Sequence, residues 1–340
     1  MDRSLIQKSF FGLLLTIPVF GVLFLFIDIK PVLTALQQAE KTILGFAVVA
    51  VLGWLLAWSL SLRTVLRVLD VSLSIPRSFF LFSGATFSNN VTPFGQAGGE
   101  PITAYLISQA SKTKYETGLA AIASVDTLNF VPSFVFAVIG IGYYATVLTL
   151  TSHMKSAAIL LCGLGILIFG GGYYLWVSRR AVEHHLSAAL AMVSHRIASI
   201  VPRISAPNRE TIQDRIRHFI QTIEQIATSP LQLVFALGYS GAGWLFQASA
   251  LWLAFYAIGT TIPFSVVLFA IPISAIAGVT PLPGGAGGIE SVLIALLVSV
   301  TSVESAIVVA AVLIFRGLVY WLPTMIGGSV LAAVTAKRVI

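Results

Sequence analysis

Hydrophobic residues run along the chain in long stretches with few polar interruptions. A helix needs about 20 mainly apolar residues to cross a hydrocarbon core of about 30 Å. Six stretches are long enough: Phe10–Ile27, Thr42–Leu62, Thr117–Leu150, Ser156–Val177, Leu231–Ile258 and Ala306–Val334. They predict a chain that crosses a membrane several times through α-helices.

Two of these stretches exceed a single crossing, and each carries a charged residue followed by a proline. Asp126 precedes Pro132 in the third stretch, and Arg316 precedes Pro323 in the sixth. Proline removes a backbone donor and often kinks or breaks a helix. We therefore expect each stretch to form a short helix followed by a spanning one.

Two shorter apolar stretches, Ser78–Ser88 and Phe264–Ala277, are too short or too interrupted to cross. Each leads into a cluster of prolines and glycines and then into a second apolar helix, near Thr103–Ser108 and Ser291–Ser299. Two short helices joined by a glycine-rich turn predict a re-entrant hairpin. Irregular backbone at membrane depth is tolerated only where it is buried in protein or lines a wet cavity.

The composition agrees with a membrane protein, since 57% of the residues are hydrophobic and only 10% are charged. Soluble domains contain about 25% charged residues, so a water-soluble enzyme is excluded as the main body. The sequence contains no P-loop, zinc-protease or nucleophile-elbow pattern. We predict an all-α polytopic membrane protein with one membrane domain over residues 1–340, no catalytic residues, no cofactor and no metal.

The positive charges are distributed unevenly along the predicted topology. With the N-terminus in the cytoplasm and both hairpins returning to their starting side, 16 of the 20 Lys and Arg residues lie in cytoplasmic segments. Three lie outside and Arg316 lies within the membrane. This bias predicts a plasma membrane protein with both termini in the cytoplasm. It also explains the net charge of +7 without a nucleic-acid partner.

Residues 179–230 form one substantial polar insert. Apolar residues recur in it every three or four positions, in two stripes separated by Pro202 and Pro207. The pattern predicts two cytoplasmic amphipathic helices, packed on each other or lying on the membrane surface. We interpret the histidines of this insert as solvated residues rather than metal ligands, because their spacing does not suit a metal: His184, His185, His195 and His218.

An internal repeat relates residues of about 42–150 to residues of about 231–335. Five matches occur in order at offsets of 188–191: the Gly-Trp-Leu triplet at 53 and 243, Val-Thr-Pro at 91 and 279, Glu100 and Glu290, Asp126 and Arg316, and Pro132 and Pro323. On the predicted topology, the helices that carry Trp54 and Trp244 run in opposite directions. This is an inverted-topology repeat, which is common in secondary transporters.

Four ionisable residues fall inside the membrane region: Glu100, Asp126, Glu290 and Arg316. A charge at the bilayer centre costs at least about 2.5–3.5 kcal/mol, so it needs a partner or a wet cavity. In one interpretation, Asp126 and Arg316 form an ion pair that fixes the two halves. In the other, Arg316 meets an anionic headgroup, and the carboxylates meet a cationic group or a proton. Three carboxylates facing one guanidinium favour the second interpretation.

Seven further candidates flank these charges: Asn89, Asn90, Gly98, Gly99, Gly287, Gly288 and Gln247. The two asparagines either contact a substrate or satisfy backbone groups of the turn. The glycines allow a backbone or a ligand to approach closely. The glutamine lies in a spanning helix, where an interhelical hydrogen bond is its simplest role.

With these residues, the sequence resembles a flippase-like membrane family related to the transmembrane region of lysylphosphatidylglycerol synthases. The resemblance covers residues of about 10–335. It is carried by residues on both glycine-rich turns and the helices that follow them: Asn90, Pro93, Gly95, Gly98, Gly99, Glu100, Asp126, Pro283, Gly284, Gly285, Gly287, Gly288, Glu290, Arg316 and Pro323.

The best-known relatives carry a C-terminal domain that transfers lysine from tRNA to a lipid, and this chain ends at Ile340, directly after its last apolar stretch. The resemblance therefore implies the lipid-moving activity and not the transferase. The expected partners are membrane lipids with anionic or zwitterionic headgroups, including isoprenoid-linked ones, and a second copy of the chain or a lipid-modifying enzyme. The alternatives are a non-transporting membrane partner that recruits such an enzyme through residues 179–230, and an intramembrane enzyme acting on lipid phosphates.

Overall fold

The computed structural model describes residues 29–92, 95–147, 170–178, 209–280 and 282–339, together with Gly163 and Gly165. The predicted spanning helix Phe10–Ile27, slightly more than half of Ser156–Val177 and the first stripe of the polar insert lie outside these residues. His184, His185 and His195 also lie outside them.

The described residues form eleven α-helices and no strand. In chain order the helices are α1 (Ile29–Gln38), α2 (Lys41–Val68), α3 (Ile75–Val91), α4 (Gln96–Ser111), α5 (Tyr115–Val147), α6 (Gly171–Val177), α7 (Arg209–Ala227), α8 (Pro230–Ala257), α9 (Phe264–Ala275), α10 (Gly288–Val300) and α11 (Ser305–Val339). Two 3₁₀ turns, Ile276–Val279 and Pro283–Gly285, connect α9 to α10.

Within the described ranges, four stretches are long and apolar enough to cross a membrane: Lys41–Val68, Tyr115–Tyr144, Pro283–Val300 and Ser305–Ala332. Together with the helical content, they confirm the prediction of an all-α membrane protein. Large apolar side chains such as Phe46, Val49 and Tyr143 remain more than half exposed on the outside of the bundle. Such a surface suits hydrocarbon rather than water.

The two longest helices are continuous, which corrects one sequence prediction. α5 has 33 residues and α11 has 35, with Pro132 and Pro323 inside them. Each had been expected to divide into a short helix and a spanning one. A proline removes only one helical hydrogen bond, and neighbouring helices and hydroxyl side chains can compensate for it in a membrane helix. Beside Pro323, the Thr324 hydroxyl donates to the Tyr320 carbonyl at 2.5 Å.

Eight of the eleven described helices form two sets of four, α2–α5 and α8–α11, with the same order and similar lengths. α2 and α8 have 28 residues each and pack along one another. The indole N–H of Trp58 on α2 donates to the Ser240 carbonyl on α8 at 3.1 Å. In each set the second and third helices pack together as a pair, α3 with α4 and α9 with α10. We call α3–α4 the first hairpin and α9–α10 the second hairpin.

The long helix of each set packs against the first hairpin helix of the other set. α5 contacts α9, and α11 contacts α3. Glycines allow the close approach in both places. A Cβ on Gly140 would lie 2.7 Å from the Ser265 carbonyl oxygen, and a Cβ on Gly327 would overlap the Ser83 carbonyl oxygen. The two sets are therefore interleaved rather than placed side by side.

Helix α7 carries the second apolar stripe of the polar insert and packs on α5. Ile212, Ile216 and Ile226 are buried. His218 shares a 3.0 Å hydrogen bond with Thr117 on α5, so this histidine is half-buried rather than solvated as expected. The stripe thus docks on the membrane bundle in the described part of the chain.

Candidate functional site

Glu290 and Arg316 form a buried ion pair within the second set of helices. The Arg316 Nε lies 2.7 Å from Glu290 Oε1, and the two side chains are only 11% and 5% exposed. The other carboxylate oxygen of Glu290 accepts the backbone N–H of Gly287 at 2.6 Å. Arg316 also donates from Nη2 to the Gly284 carbonyl at 3.2 Å. One carboxylate thus binds both α11 and the turn that begins α10.

The local sequence explains why Glu290 occupies this position. Gly287 precedes α10 with a φ of 82°, a left-handed conformation that glycine adopts without strain. Glu290 follows three residues later, in the first turn, where a glutamate can return to the free N–H of the cap residue. A carboxylate at a helix N-terminus is also favoured by the helix dipole.

Glu100 and Asp126 are the corresponding residues of the first set, and their carboxyl groups lie close enough to interact with each other. In both sets the glutamate and its partner are 26 residues apart. Asp126 Oδ2 is buried and has no hydrogen-bond partner in the described part of the protein. Ionising two neighbouring carboxyl groups together is costly in free energy. One of them therefore binds a proton, or a cation lies between them.

Asp126 and Arg316 do not pair with each other, although the sequence had left that ion pair open. The structure pairs each of them with the glutamate of its own set. The reason is geometric, since α4 packs on α5 and α10 packs on α11. Each long helix therefore presents its charged residue to the adjacent hairpin helix.

Asn90 lies at the end of α3 and binds α11. Its Nδ2 donates to the Tyr320 carbonyl at 3.1 Å and to Thr324 Oγ1 at 2.9 Å. The Tyr320 hydroxyl returns a hydrogen bond to the Asn90 carbonyl at 3.0 Å. Asn89, the preceding residue, places a buried Oδ1 against Gly99, and this oxygen has no hydrogen-bond partner among the described residues.

The candidate glycines lie at the starts of α4 and α10. Gly99 is buried, and a Cβ there would overlap Asn89. A Cβ on Gly288 would lie 2.8 Å from the Thr280 methyl carbon. Gly98 is half-buried, and Gly287 caps α10 as described above. All four glycines therefore lie in the hairpin turns or in the first turn of the helix that follows.

Gln247 is buried in α8, and the hydrogen bonds around Glu290 and Arg316 do not include it.

A polar residue that sequence reasoning missed is Asn129, one turn after Asp126 on α5. Asn129 Oδ1 accepts from Ser240 Oγ at 2.5 Å, and its carbonyl accepts from the Trp244 indole at 3.0 Å. The sequence signal for Asn129 was a single amide side chain within an otherwise apolar stretch.

Tyr320 and Thr324 were also missed, although their spacing was informative. They follow Arg316 at steps of four residues, so all three share one face of α11. The described residues contain no group of three His, Cys, Asp or Glu side chains that could hold a metal ion. The chemistry available here is therefore that of paired carboxylates, one guanidinium and amide and hydroxyl groups.

The chain resembles several archaeal membrane proteins along most of its length. A "UPF0104 membrane protein" of Methanothermobacter thermautotrophicus is 27% identical over 333 residues, covering 96% of this chain and 92% of the relative. A protein of the same name from Pyrococcus horikoshii is 24% identical over 328 residues, covering 95% and 96%. A third, from Methanocaldococcus jannaschii, is 22% identical over 275 residues, covering 78% and 76%.

The family model described as the lysylphosphatidylglycerol synthase TM region matches residues 9–327. The match includes both hairpins, the Glu100–Asp126 contact and the Glu290–Arg316 ion pair. With nearly the whole chain covered, this protein belongs to the family of the lysylphosphatidylglycerol synthase transmembrane region.

Proposed function

We propose that the protein is a lipid translocase, which moves the polar headgroup of a lipid between the two hairpins while the acyl chains stay in the bilayer. One observation carries this proposal. Four ionisable side chains lie within the apolar bundle, and each belongs to a hairpin or to the long helix packed on it. Burying so much charge is costly unless a polar species uses it.

We further propose that the two sets of helices are an inverted repeat and that the hairpins are re-entrant. The matched order and lengths of the helices support this, as do the reciprocal contacts of α5 with α9 and of α11 with α3. The charge distribution supports opposite orientations of the two sets and cytoplasmic termini in a plasma membrane. Inverted repeats of this kind place the substrate site at the interface of the repeats.

Arg316 is the proposed contact for the lipid phosphate. Glu290 and Gly284 take up its Nε and Nη2. Nη1 is left available for hydrogen bonding, because the described residues accept hydrogen bonds only from Nε and Nη2 of this side chain. The ion pair orients the guanidinium, and a guanidinium held in a fixed orientation binds phosphate better than a mobile one.

Glu100 and Asp126 are the proposed site for a positive charge. In the second set, the Arg316 guanidinium neutralises the glutamate at the equivalent position. In the first set, an aspartate replaces this guanidinium, so the positive charge must come from elsewhere. A cationic headgroup or a proton that moves during transport fulfils this requirement.

The direct test is headgroup translocation in reconstituted vesicles. Lipids that carry a fluorophore on an acyl chain and an anionic, zwitterionic or lysine-modified headgroup report movement between leaflets through a membrane-impermeant quencher. We expect Arg316→Ala to reduce the initial rate at least tenfold for the transported lipid. Arg217→Ala, which removes an exposed arginine from α7, is the matched control and should keep the rate.

A second variant distinguishes loss of headgroup binding from misfolding of Arg316→Ala. Glu290→Gln with Arg316→Gln replaces the ion pair by two neutral amide side chains, so no unpaired charge is left in the bundle and the hairpin should stay in place. This double variant should fold and still fail to move lipid. A normal rate in both Arg316 variants would show that this residue does not bind the headgroup and would overturn the assignment.

The orientation can be tested separately, because the sequence contains one cysteine, Cys162. In a Cys162→Ser background, Arg217→Cys should react with a membrane-impermeant thiol reagent only from the cytoplasmic side. Lys41→Cys should react only from outside. The opposite pattern would reverse the proposed topology.

A further inference from the structure

The turns of the two hairpins meet at their tips. A Cβ on Gly95, in the first turn, would lie 3.2 Å from the carbonyl oxygen of Gly278, in the second. A Cβ on Gly284 would lie 3.3 Å from Asn90 Cα and 2.7 Å from the Tyr320 ring. The tips therefore meet at glycine positions, where Gly95 faces the Gly278 backbone and Gly284 faces Asn90 and the Tyr320 ring.

Asn90 joins this contact to the Arg316 site. Through its hydrogen bonds to Tyr320 and Thr324, it fastens the end of the first hairpin to α11. Tyr320 packs on Gly284, whose carbonyl accepts a hydrogen bond from Arg316. A continuous series of contacts thus leads from the first hairpin, through Asn90 and Tyr320, to the guanidinium in the second set.

We propose that Asn90 is a positioning residue that holds the hairpin tips together over the Arg316 site, and that its bonds to Tyr320 and Thr324 must break for a headgroup to pass. The proposal rests on the proposed function, because passage of a headgroup is what the contact would control. The structure described above is then the closed state of the protein.

The composition of this contact supports an interface that can open. We call the contact of the hairpin tips, together with Asn90, Tyr320 and Thr324, the joint. It consists of hydrogen bonds, glycine backbone and the single aromatic ring of Tyr320, whereas the α2–α8 interface contains the Trp58 indole, which occupies the space beside Gly243 and packs against the Trp54 and Trp244 rings. Hydrogen bonds can be exchanged for bonds to water or to a lipid headgroup with little net cost. Separating packed aromatic side chains would expose large apolar surfaces instead.

The first experiment closes the joint covalently. In a Cys162→Ser background, Asn90→Cys with Thr324→Cys places two thiols where the side chains now contact. Oxidation should form a disulfide and lower lipid translocation at least tenfold, and reduction should restore it. Thr117→Cys with His218→Cys, at the α5–α7 contact, is the matched control and should transport equally in both redox states.

Three outcomes of this experiment would overturn the proposal. The Asn90–Thr324 pair could fail to oxidise, it could transport normally when oxidised, or the control pair could be arrested to the same extent. Loss of transport in the reduced pair and in the unmodified protein alike would instead contradict the proposed function, and a second measurement then tests the joint.

The second experiment needs no lipid substrate. Thr92, beside the tip, is 7% exposed, so Thr92→Cys should react slowly with a membrane-impermeant maleimide. Tyr320→Phe removes only the hydroxyl that binds the Asn90 carbonyl and should raise the labelling rate severalfold. Tyr144→Phe removes another interhelical tyrosine hydrogen bond, to Val300 at 2.7 Å, and should leave the rate unchanged. Equal rates in the two phenylalanine variants would refute the joint.

Discussion

Glu290 binds Arg316 with one carboxylate oxygen and the backbone N–H of Gly287 with the other. The second hairpin and α11 are therefore fixed by a single side chain. Removing either partner of a buried ion pair leaves a desolvated charge without compensation.

We expect Arg316→Ala and Glu290→Ala each to lower the free energy of unfolding by about 3–5 kcal/mol. Glu116→Ala breaks the half-exposed pair with Arg215, at 3.4 Å, and should cost about 1 kcal/mol or less. Unfolding in mixed micelles, followed by tryptophan fluorescence, measures all three variants. Equal losses of unfolding free energy at the Glu290–Arg316 and Glu116–Arg215 pairs would show that the first pair is not effectively buried.

The contact between Glu100 and Asp126 predicts a dependence of stability on pH. Ionising both carboxyls would place two negative charges in contact inside the bundle. The unmodified protein should therefore lose thermal stability as the pH rises, relative to Asp126→Asn, whose amide can donate to Glu100. An identical pH dependence of the melting temperature in the two proteins would contradict repulsion between these carboxyls.

Gly327 permits the close approach of α11 to α3, whereas Gly317 on the same helix has open space beside it. Gly327→Ala would force a methyl group into the Ser83 carbonyl and should destabilise the protein by about 1–3 kcal/mol. Gly317→Ala should be neutral or stabilise it by up to about 1 kcal/mol, because alanine is the better helix former. Thermal unfolding compares the stability of the two variants. Similar effects would mean that α11 and α3 lie farther apart than the structure places them.

The docking of α7 on α5 predicts that its apolar stripe protects it from exchange. Ile216→Asp places a charge on the buried face, and Gln221→Asp places one on the exposed face. We expect amide hydrogen exchange in α7 to rise at least tenfold in the first variant and to change little in the second. Similar exchange in both variants would mean that α7 is not held by this face.

The sequence predicted the helical membrane fold and located α3, α9 and α10 to within three residues, whereas α4 begins seven residues before the predicted stretch. Apolar runs and glycine-rich turns are local signals, and they survive in any tertiary arrangement. The proline prediction for α5 and α11 was wrong because it considered one lost hydrogen bond and not the neighbouring helices that pack along each of them.

The partners of the charged residues could not be read from the sequence. The repeat made Asp126 and Arg316 equivalent, but a two-fold arrangement allows equivalent residues either to meet or to turn back to their own half. Asn90 and Tyr320 are 230 residues apart, and no local pattern connects them. The step of four residues from Arg316 to Tyr320 was visible and could have marked that face of α11.

The exchange of long helices has a consequence for assembly. Because α5 packs on α9 and α11 packs on α3, each long helix has part of its surface covered only by the other half of the chain. We therefore expect a polypeptide of half this length to expose that surface unless a second copy covers it. In the present chain, the two matching surfaces belong to one molecule.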